Sequence, residues 1–454
     1  MILNSRILKL AFTICWTFLC SILSFCQMNP GYIALHGVSN HNLSEGSVLI
    51  ANDKKGNTIQ AGIFGGTFMS NYVLGDKTIV GNSFYNGYIS KLNAENDIEW
   101  ALKIGGNDQM KFRFMEVDSK GNIIICGSFN GTVDFNPDPA ITKNVTGSTT
   151  NITNFILKLD PNGGFLWVST FGGRSWNTIG EAFAIDNSDN IIVAGTFTNT
   201  FYYGNFTMNT TGSLLYCIKV NDEDGKIIWG KKYILTYNDF NMDISIDESN
   251  NIFVLSQFTH NLTFELTPPY RFVTAEGKTD IYVVKLSSNG EYLKFKNFKL
   301  AGEQQAKVIM HDDEDNIIVL FKSIMSDTSS DYVHLIEKYS KDLESLLWSK
   351  SLPNSNLTDV VLNKHNDIVC TGDFGGTTTF DPSTSKYKII GNGKAFVSKI
   401  SKDGTFLGEN ILNTTGIIRP YQIEFNPLNQ ITIAGFILSK AFLNPLDTTF
   451  FISN

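Results

Sequence analysis

The chain has 454 residues and a formal net charge of −8, with 42 % hydrophobic and 18 % charged residues. This balance excludes an intrinsically disordered chain and is typical of a globular protein. The excess of acidic residues argues against binding to nucleic acid or to an anionic membrane surface.

The first 26 residues have the pattern of a secretory signal peptide. Arg6 and Lys9 form a basic start, and an uncharged apolar run extends from Leu10 to Phe25. We predict cleavage, which leaves residues 27–454 with a net charge of −8 − 2 = −10. The alternatives are an uncleaved membrane anchor and lipid attachment at Cys26, although Phe25 departs from the small residue that a lipobox requires. We expect a secreted protein, extracellular or periplasmic, with no membrane insertion after cleavage.

Three cysteines lie outside the signal region: Cys126, Cys217 and Cys370. Each is inside an apolar run, and their wide spacing fits neither a disulfide framework nor a zinc site. We expect buried free thiols, and a single disulfide with one thiol left over is the alternative.

Seven copies of one pattern follow the signal region. Each copy has an Asp or Asn, a polar turn and then a β-branched run, as in DSKGNIIICGSF. The copies begin at Asp53, Asp118, Asp186, Asp247, Asp312, Asn363 and Asn426. A period of several tens of residues indicates a repeat architecture, in which each copy is one structural unit.

A second pattern, seen in NFILKLDPNGGFLW (154–167), occurs once per period and predicts a β-hairpin. Six lysines share one register in it: Lys91, Lys158, Lys219, Lys285, Lys338 and Lys399. A ring of six lysines raises the possibility of an anion site, but third strands lie far from the axis of such a ring. We therefore predict a structural role, with each amine near one of the recurring Asp53, Asp118, Asp186, Asp247 and Asp312. For Lys158 we predict a salt bridge to Asp118 or Asp186.

Each period contains four strand signals, which predict an all-β fold, a seven-bladed β-propeller of four-stranded blades. The third residue before each turn is large and apolar in every copy, which indicates a core layer: Ile50, Met115, Phe183, Ile244, Ile309, Val360 and Ile423. The extra residues between the second and third strands, such as 136–153, are interpreted as polar loops. The last copy lacks a fourth strand, so we predict that Gly31–Ser39 completes the last blade beside Phe450–Ser453 and closes the ring.

These copies resemble the SBBP family of bacterial β-propeller repeats. The resemblance rests on the Gly-Asn turns, on the segments TVDFNP (132–137) and TTTFDP (377–382), and on the lysine-containing hairpin. It covers essentially all of the chain after the signal region and implies the fold and secretion. It implies no common chemistry, and the fourth, fifth and seventh copies depart from it most.

The sequence contains no catalytic or cofactor-binding motif. His311 beside Asp312 and Asp313 is a candidate metal site, and the acidic stretch Asn221–Lys226 matches part of a calcium loop. We interpret both as turns, and we expect no metal and no cofactor.

Polar residues replace apolar or small ones in the first strands of some copies. Five positions depart in this way: Glu116, Asp243, Asp359, Gln422 and Glu424. First strands line the axis of a propeller, so these are our candidate ligand-binding residues. The alternative is that they are solvated residues lining a water-filled channel.

We expect a monomeric, non-enzymatic scaffold that binds a protein or a glycan. The alternatives are an extracellular glycosidase-like or lyase-like enzyme with acidic residues at the axis, and a purely structural module of an envelope assembly. Buried axial carboxylates with raised pKa values favour an enzyme. A wide apolar or aromatic patch on one face favours binding.

Overall fold

The structure, a computed structural model, describes residues 34–36 and 48–438, except 66–70, 75–76, 82–84, 96, 107–108, 150–151, 174–178, 236–240, 264–271, 301, 325–331, 354, 382–385, 413–416, 428 and 430. The predicted signal peptide, Cys26 and Phe450–Ser453 lie outside the described residues. Within them, no helix is long and apolar enough to cross a membrane.

The described residues form 31 strands and no helix. In chain order the first are β1 (Ala34–His36), β2 (Leu49–Asn52), β3 (Thr58–Gly65), β4 (Asn71–Leu74), β5 (Lys77–Val80), β6 (Tyr85–Leu92), β7 (Ile98–Gly106), β8 (Met110–Val117), β9 (Ile123–Phe129), β10 (Thr132–Asp134), β11 (Asn144–Thr146), β12 (Thr153–Leu159), β13 (Phe165–Gly173), β14 (Ile179–Ile185), β15 (Ile191–Tyr203) and β16 (Phe206–Val220). The others are β17 (Ile227–Leu235), β18 (Asp243–Ile246), β19 (Ile252–Thr263), β20 (Phe272–Leu286), β21 (Tyr292–Phe298), β22 (Glu303–His311), β23 (Ile317–Ile324), β24 (Tyr332–Tyr339), β25 (Leu346–Pro353), β26 (Ser355–Leu362), β27 (Ile368–Asp381), β28 (Lys386–Ile400), β29 (Phe406–Leu412), β30 (Ile417–Phe425) and β31 (Ile431–Leu438).

Strand pairing divides the chain into seven consecutive units that match the seven sequence copies. Units 1 to 6 are four-stranded antiparallel meanders, with the strand orders β2-β3-β6-β7, β8-β9-β12-β13, β14-β15-β16-β17, β18-β19-β20-β21, β22-β23-β24-β25 and β26-β27-β28-β29. In unit 7, β30 pairs with β31.

The recurring Asp or Asn shapes the turn between the first and second strand of each unit. In unit 2, Asp118 Oδ1 accepts hydrogen bonds from the amides of Lys120 and Asn122 at 2.9 and 2.8 Å. The third residue after it has a positive φ in every unit, and it is always Gly, Asn or Asp: Gly56, Gly121, Asp189, Asn250, Asp315, Asn366 and Asn429. These residue types tolerate the left-handed conformation, which explains the composition of the repeated turn.

The hydrophobic cores lie between successive units. One core joins each unit to the next, from units 1 and 2 through units 6 and 7, and a further small core joins Ala434 of unit 7 to Val48 and Ile50 of unit 1. The first strands contact one another in the same cyclic order. The predicted core layer is confirmed, because all seven of its residues are buried.

The predicted class, an all-β protein of the propeller type, is therefore confirmed. Seven complete four-stranded blades stay a prediction, because unit 7 shows two antiparallel strands and one parallel strand among the residues described. That parallel strand is β1, which lies inside the predicted Gly31–Ser39 segment and does join the last unit. It pairs directly with the second strand, β31, whereas the prediction placed Phe450–Ser453 between them.

The extra residues between second and third strands are not simply polar loops. In units 3, 4 and 6 they lengthen these two strands into a hairpin arm, and in unit 2 they form the short β10–β11 pair. The arm of unit 3 pairs with the fourth strand of unit 2, where Phe201 and Tyr203 pack on Phe171. Burial of these aromatic rings stabilises the packing of the arm on unit 2.

Candidate functional site

The five candidate residues all lie on first strands, and all are half-buried. Asp243, Asp359 and Gln422 precede the turn residue of their units by four positions, whereas Glu116 and Glu424 precede it by two. Since side chains alternate along a strand, these two positions face the same side. The residues therefore share one side of the first strands of units 2, 4, 6 and 7.

Three of these side chains bind the first strand of the following unit. Asp243 Oδ2 accepts the amide of Ile309 at 2.8 Å, and Asp359 Oδ2 accepts the amide of Ile423 at 2.9 Å. Gln422 makes two such bonds to Ile50, since its Oε1 accepts the amide at 3.0 Å and its Nε2 donates to the carbonyl at 2.8 Å. Part of their role is therefore to satisfy peptide groups between units.

Burial raises the pKa of all four carboxyl groups. Burial and the nearby charge of Asp243 raise the pKa of Glu116 to about 8, and burial raises the pKa of Asp243 to about 7. Burial and the charge of Glu116 raise the pKa of Glu424 to about 8. The pKa of Asp359 is raised well above its usual range by burial and by the charges of Glu424 and Asp243. The four groups therefore share one electrostatic environment, although they come from four units.

Glu116 and Glu424, with pKa values of about 8, are mostly protonated at neutral pH, whereas Asp243, with a pKa of about 7, is protonated in about half of the molecules. A neutral carboxyl both donates and accepts hydrogen bonds, as does the Gln422 amide. No basic side chain forms an ion pair with Glu116, Asp243, Asp359 or Glu424 within the described part of the chain. The arrangement can therefore hydrogen-bond a polar ligand, and it can take up a cation by releasing protons.

The six repeat lysines do not converge on one site. Lys91, Lys158, Lys219, Lys285 and Lys338 each pair with the first-turn Asp of their own unit, at distances of 2.6 to 3.3 Å. For Lys158 the partner is Asp118 at 2.8 Å, one of the two carboxylates expected from the sequence. Unit 6 has Asn363 at the turn, and Lys399 pairs instead with Asp367 at 2.7 Å.

Four of these lysines, Lys91, Lys158, Lys219 and Lys338, also donate to a backbone carbonyl of the next unit. Lys158 Nζ and Trp167 Nε1 both donate to the carbonyl of Asp222, at 3.2 and 3.0 Å, and Lys158 also bonds the Asp222 carboxylate. Asp222 lies in the turn between the third and fourth strands of unit 3. Lys338 and Trp348 contact the carbonyl of Lys402 in the same way.

A glycine in the receiving turn makes room for the tryptophan. A Cβ on Gly225 would lie 2.6 Å from the Trp167 ring, and one on Gly404 would lie 2.9 Å from the Trp348 ring. Unit 4 has Lys294 in place of the tryptophan, and the next turn has Leu343 in place of the glycine. We call this set of lysine, tryptophan and turn contacts the inter-unit lock.

The candidate metal residues of the sequence have other partners. Asp312 pairs with Lys338 at 2.7 Å, and His311 Nδ1 lies 2.5 Å from Ser245 Oγ of the preceding unit. Asn221–Lys226 forms a hairpin turn, closed by a bond from the Asn221 amide to the Lys226 carbonyl.

Three buried carboxylates, those of Asp118, Asp189 and Asp222, also come together. The Lys158 amine bonds to two of them and supplies the positive charge at this point.

The three cysteines are free and buried, as expected from the sequence. Burial raises the pKa of the Cys126 and Cys370 thiols to about 12, so they are not nucleophiles at neutral pH.

Sequence reasoning missed two acidic residues, the half-buried Glu181 and the buried Asp280. Burial raises the pKa of Glu181 to about 7, and Thr196 donates a hydrogen bond to it at 3.2 Å. Asp280 lies on β20 and is completely buried. A comparison of the copies could have found Asp280, because unit 1 has the uncharged Asn86 at the same position.

No family model matches the chain. The resemblance to SBBP repeats therefore stays a prediction. A WD repeat-containing protein of Acanthamoeba polyphaga mimivirus, itself uncharacterized, is 29 % identical over 181 residues. The match covers 36 % of this chain but only 12 % of that protein.

The structure is similar to several solved structures at low sequence identity. A protein of unknown function from Bacteroides caccae is 11 % identical, with a TM-score of 0.35 and coverage of 82 % of this chain and 97 % of that one. BamB from Moraxella catarrhalis is 12 % identical, with a TM-score of 0.34 and coverage of 80 % and 95 %. The C-terminal WD40 domain of Sif2 is 9 % identical, with a TM-score of 0.39 and coverage of 86 % and 90 %. Strand pairing and packing, rather than these similarities, define the fold.

Proposed function

We propose that the protein is a secreted, non-enzymatic propeller that binds a glycan through the axial carboxyl groups of units 2, 4, 6 and 7. The observation that carries this proposal is the convergence of Glu116, Asp243, Asp359 and Glu424, all with pKa values raised to near or above neutrality. Glycan hydroxyls both donate and accept hydrogen bonds, and neutral carboxyl and amide groups match this chemistry.

The inter-unit lock supports a scaffold role. The lysine and tryptophan of one unit hold the outer turn of the next, while axial side chains hold its first strand. A site assembled from four separate units needs this rigidity, because a rigid site loses little conformational entropy when the ligand binds.

An axial glycosidase or lyase is the second candidate, and the raised pKa values of the axial carboxyl groups are the feature expected to favour an enzyme. A glycosidase needs one ionised and one protonated carboxyl group with different pKa values. Here all four pKa values are raised, and two of the carboxylates already accept peptide amides of the next unit. These features favour binding over catalysis.

A glycan array with the purified protein at about pH 6.5 tests the proposal. For the glycan bound best, we expect Glu424→Ala to weaken binding at least about tenfold, the value of one or two hydrogen bonds. Glu424 is suitable because, among the described residues, its carboxyl group accepts a hydrogen bond from Gln422 of its own unit and bonds to no other unit. The matched control is Glu223→Ala, which removes an exposed acid from an outer turn.

The array result also separates the alternatives. If no glycan binds, the glycan proposal is wrong, and a protein partner becomes the leading candidate. If the wild type cleaves the bound glycan and Glu116→Gln abolishes cleavage, the protein is an enzyme. Equal weakening by Glu424→Ala and Glu223→Ala would place the binding site away from the axis.

A further inference from the structure

Among the described residues, five of the seven first strands contain a β-bulge at the same position, five residues before the turn residue. The extra residue of the bulge, which has no partner on the second strand, is Arg113, Glu181, Lys307, Thr358 or Tyr421 in units 2, 3, 5, 6 and 7. A bulge changes the direction of a side chain relative to the regular alternation of a strand. The repeat therefore presents one side chain per bulge whose chemistry varies from unit to unit.

Unit 3 shows what the bulge residue faces. Glu181 accepts a hydrogen bond from Thr196 at 3.2 Å, and Thr196 lies on the second strand, ten residues after the turn residue. Unit 5 has lysine at both of these positions, Lys307 and Lys322. The two amines are close enough to repel each other, since burial and the charge of Lys322 lower the pKa of Lys307. Unit 5 thus has two positive charges where unit 3 has a hydrogen-bonded pair.

An aromatic ring and an imidazole ring lie beside the two lysines. Lys322 is directly opposite His334 on the third strand, so their side chains share one face of unit 5. Lys322 Nζ lies 4.1 Å from the centre of the Tyr332 ring, and this ring packs edge-to-face on His334 with 5.6 Å between the ring centres. Burial lowers the pKa of His334 to about 4, and the charges of Lys307 and Lys322 act in the same direction. Both amines therefore act on the same imidazole.

His334 has one ring nitrogen without a partner. The side chain is completely buried, and its Nδ1 donates to the carbonyl of Ser355 in unit 6 at 2.7 Å. A carbonyl only accepts hydrogen bonds, so Nδ1 carries the proton of the neutral ring. Nε2 is buried and has no hydrogen-bond partner among the described residues. Leaving such an atom unpaired is costly, which marks this point as a place for a ligand.

The two lysines also lack an acidic partner. Within the described part of the chain, neither amine forms an ion pair with a carboxylate. Glu303, on the same strand as Lys307, accepts a hydrogen bond from Gln305 Nε2 at 3.1 Å instead. An anion between the two amines replaces their repulsion by attraction.

We propose that Lys307, Lys322 and His334 bind an oxyanion, the carboxylate, sulfate or phosphate group of a ligand, where unit 5 meets unit 6. The two ammonium groups donate charge-assisted hydrogen bonds, which are stronger than those between neutral groups. The bound negative charge favours the imidazolium form of His334, whose Nε2 then donates to the anion. Unit 5 contributes none of the four axial carboxyl groups, so this proposal does not depend on the glycan proposal.

Isothermal titration of the full-length protein with sodium sulfate, sodium phosphate or sodium glucuronate tests the site, at one ionic strength set with sodium chloride. We expect a Kd of about 1 mM or lower for at least one of these anions, and the preferred anion identifies the chemical group. Lys307→Met and Lys322→Met keep the apolar stem but remove one charge, and each should weaken binding at least about tenfold. Lys307→Arg keeps the charge and should retain most of the affinity.

The matched control is Lys341→Met, which removes an exposed lysine from an outer turn of the same unit and should leave the Kd unchanged. Without anion, Lys307→Met should melt no lower than the wild type because it removes a repulsion, so its weaker binding does not reflect a lost fold. The proposal is overturned if none of the three anions binds the wild type. It is equally overturned if Lys341→Met weakens binding as much as Lys307→Met and Lys322→Met, because binding then follows overall charge.

Discussion

Replacing Lys158 with methionine tests the inter-unit lock. Methionine keeps the length of the apolar lysine stem but removes the amine that bonds Asp118 and Asp222. The side chains of Lys158, Asp118 and Asp222 are 3 %, 0 % and 7 % exposed, so the substitution leaves two carboxylates in a buried site. Breaking a buried ion pair in this way costs about 3–5 kcal/mol.

The lower half of that range applies here, because Lys120 remains 2.9 Å from Asp222 and supplies part of the lost charge. We expect a loss of about 3–4 kcal/mol in the free energy of unfolding. For a unit of about 400 residues, this corresponds to a fall of about 4–5 °C in the melting temperature.

The loss should depend on pH. Burial acts to raise the pKa of Asp118, but hydrogen bonds from Lys158 and Asn122 lower it overall. The stability that this lowered pKa provides is present above the unfolded-state pKa near 3.8 and is lost as the pH falls through the folded-state value. The difference between wild type and Lys158→Met should therefore narrow below about pH 4.

Urea unfolding followed by tryptophan fluorescence measures these differences. The control is Lys226→Met, whose amine pairs with Asp224 but whose side chain is 80 % exposed, and which should leave the urea midpoint essentially unchanged. Adding Asp118→Asn to Lys158→Met should recover part of the loss. A Lys158→Met protein within about 1 kcal/mol of wild type would refute the lock as a source of stability.

Three further predictions concern other parts of the ring. Asp367→Asn should cost about 1–3 kcal/mol in urea unfolding by leaving Lys399 without its carboxylate, and Asn363→Asp should rescue it by restoring the order found in the other units. Gly404→Ala should cost about 1–3 kcal/mol, because the new Cβ would meet the Trp348 ring and the φ of 81° disfavours a side chain; an unchanged melting temperature would contradict this. The free energy of unfolding should fall as the pH rises from about 4.5 to 8, because the folded state binds the Glu116 proton more tightly than the unfolded state does. Glu116 alone should account for a fall of at most about 5 kcal/mol, and Glu116→Gln should make the free energy of unfolding less dependent on pH.

Much of the fold could be predicted from the sequence because its rules are local. The first-turn Asp bonds amides two and four residues later, and the following residue with positive φ must be Gly, Asn or Asp. These requirements leave a pattern that is visible in every copy. The apolar register of the first strands is visible for the same reason, because each copy meets the next in the same way.

Contacts between distant positions could not be predicted in the same way. Asp222 lies in a turn that the sequence shows only as acidic, and its bond to Lys158 depends on the packing of unit 2 against unit 3. The parallel pairing of β1 with β31 joins the two ends of the chain, and no local pattern specifies that register. Asp280 was missed because the sequence alone does not show that this position is buried, so an Asp where unit 1 has Asn86 drew no notice.

The candidate axial residues were found because they depart from a repeat. Their convergence rests on the cyclic order of the first strands, which the repeat predicts. Their raised pKa values depend on burial and on mutual repulsion across units, and these follow only from the three-dimensional arrangement.

The pH dependence of glycan affinity tests the proposed function most directly. With the best glycan from the array, titration calorimetry between pH 6 and pH 9 should show affinity falling as Glu116, Asp243 and Glu424 lose their protons. A variant with Glu116→Gln, Asp243→Asn, Asp359→Asn and Glu424→Gln keeps neutral donors and acceptors, so its affinity should vary little over this range. A wild-type affinity that stays constant from pH 6 to pH 9, or that falls equally in the variant, would contradict recognition by protonated axial carboxyl groups.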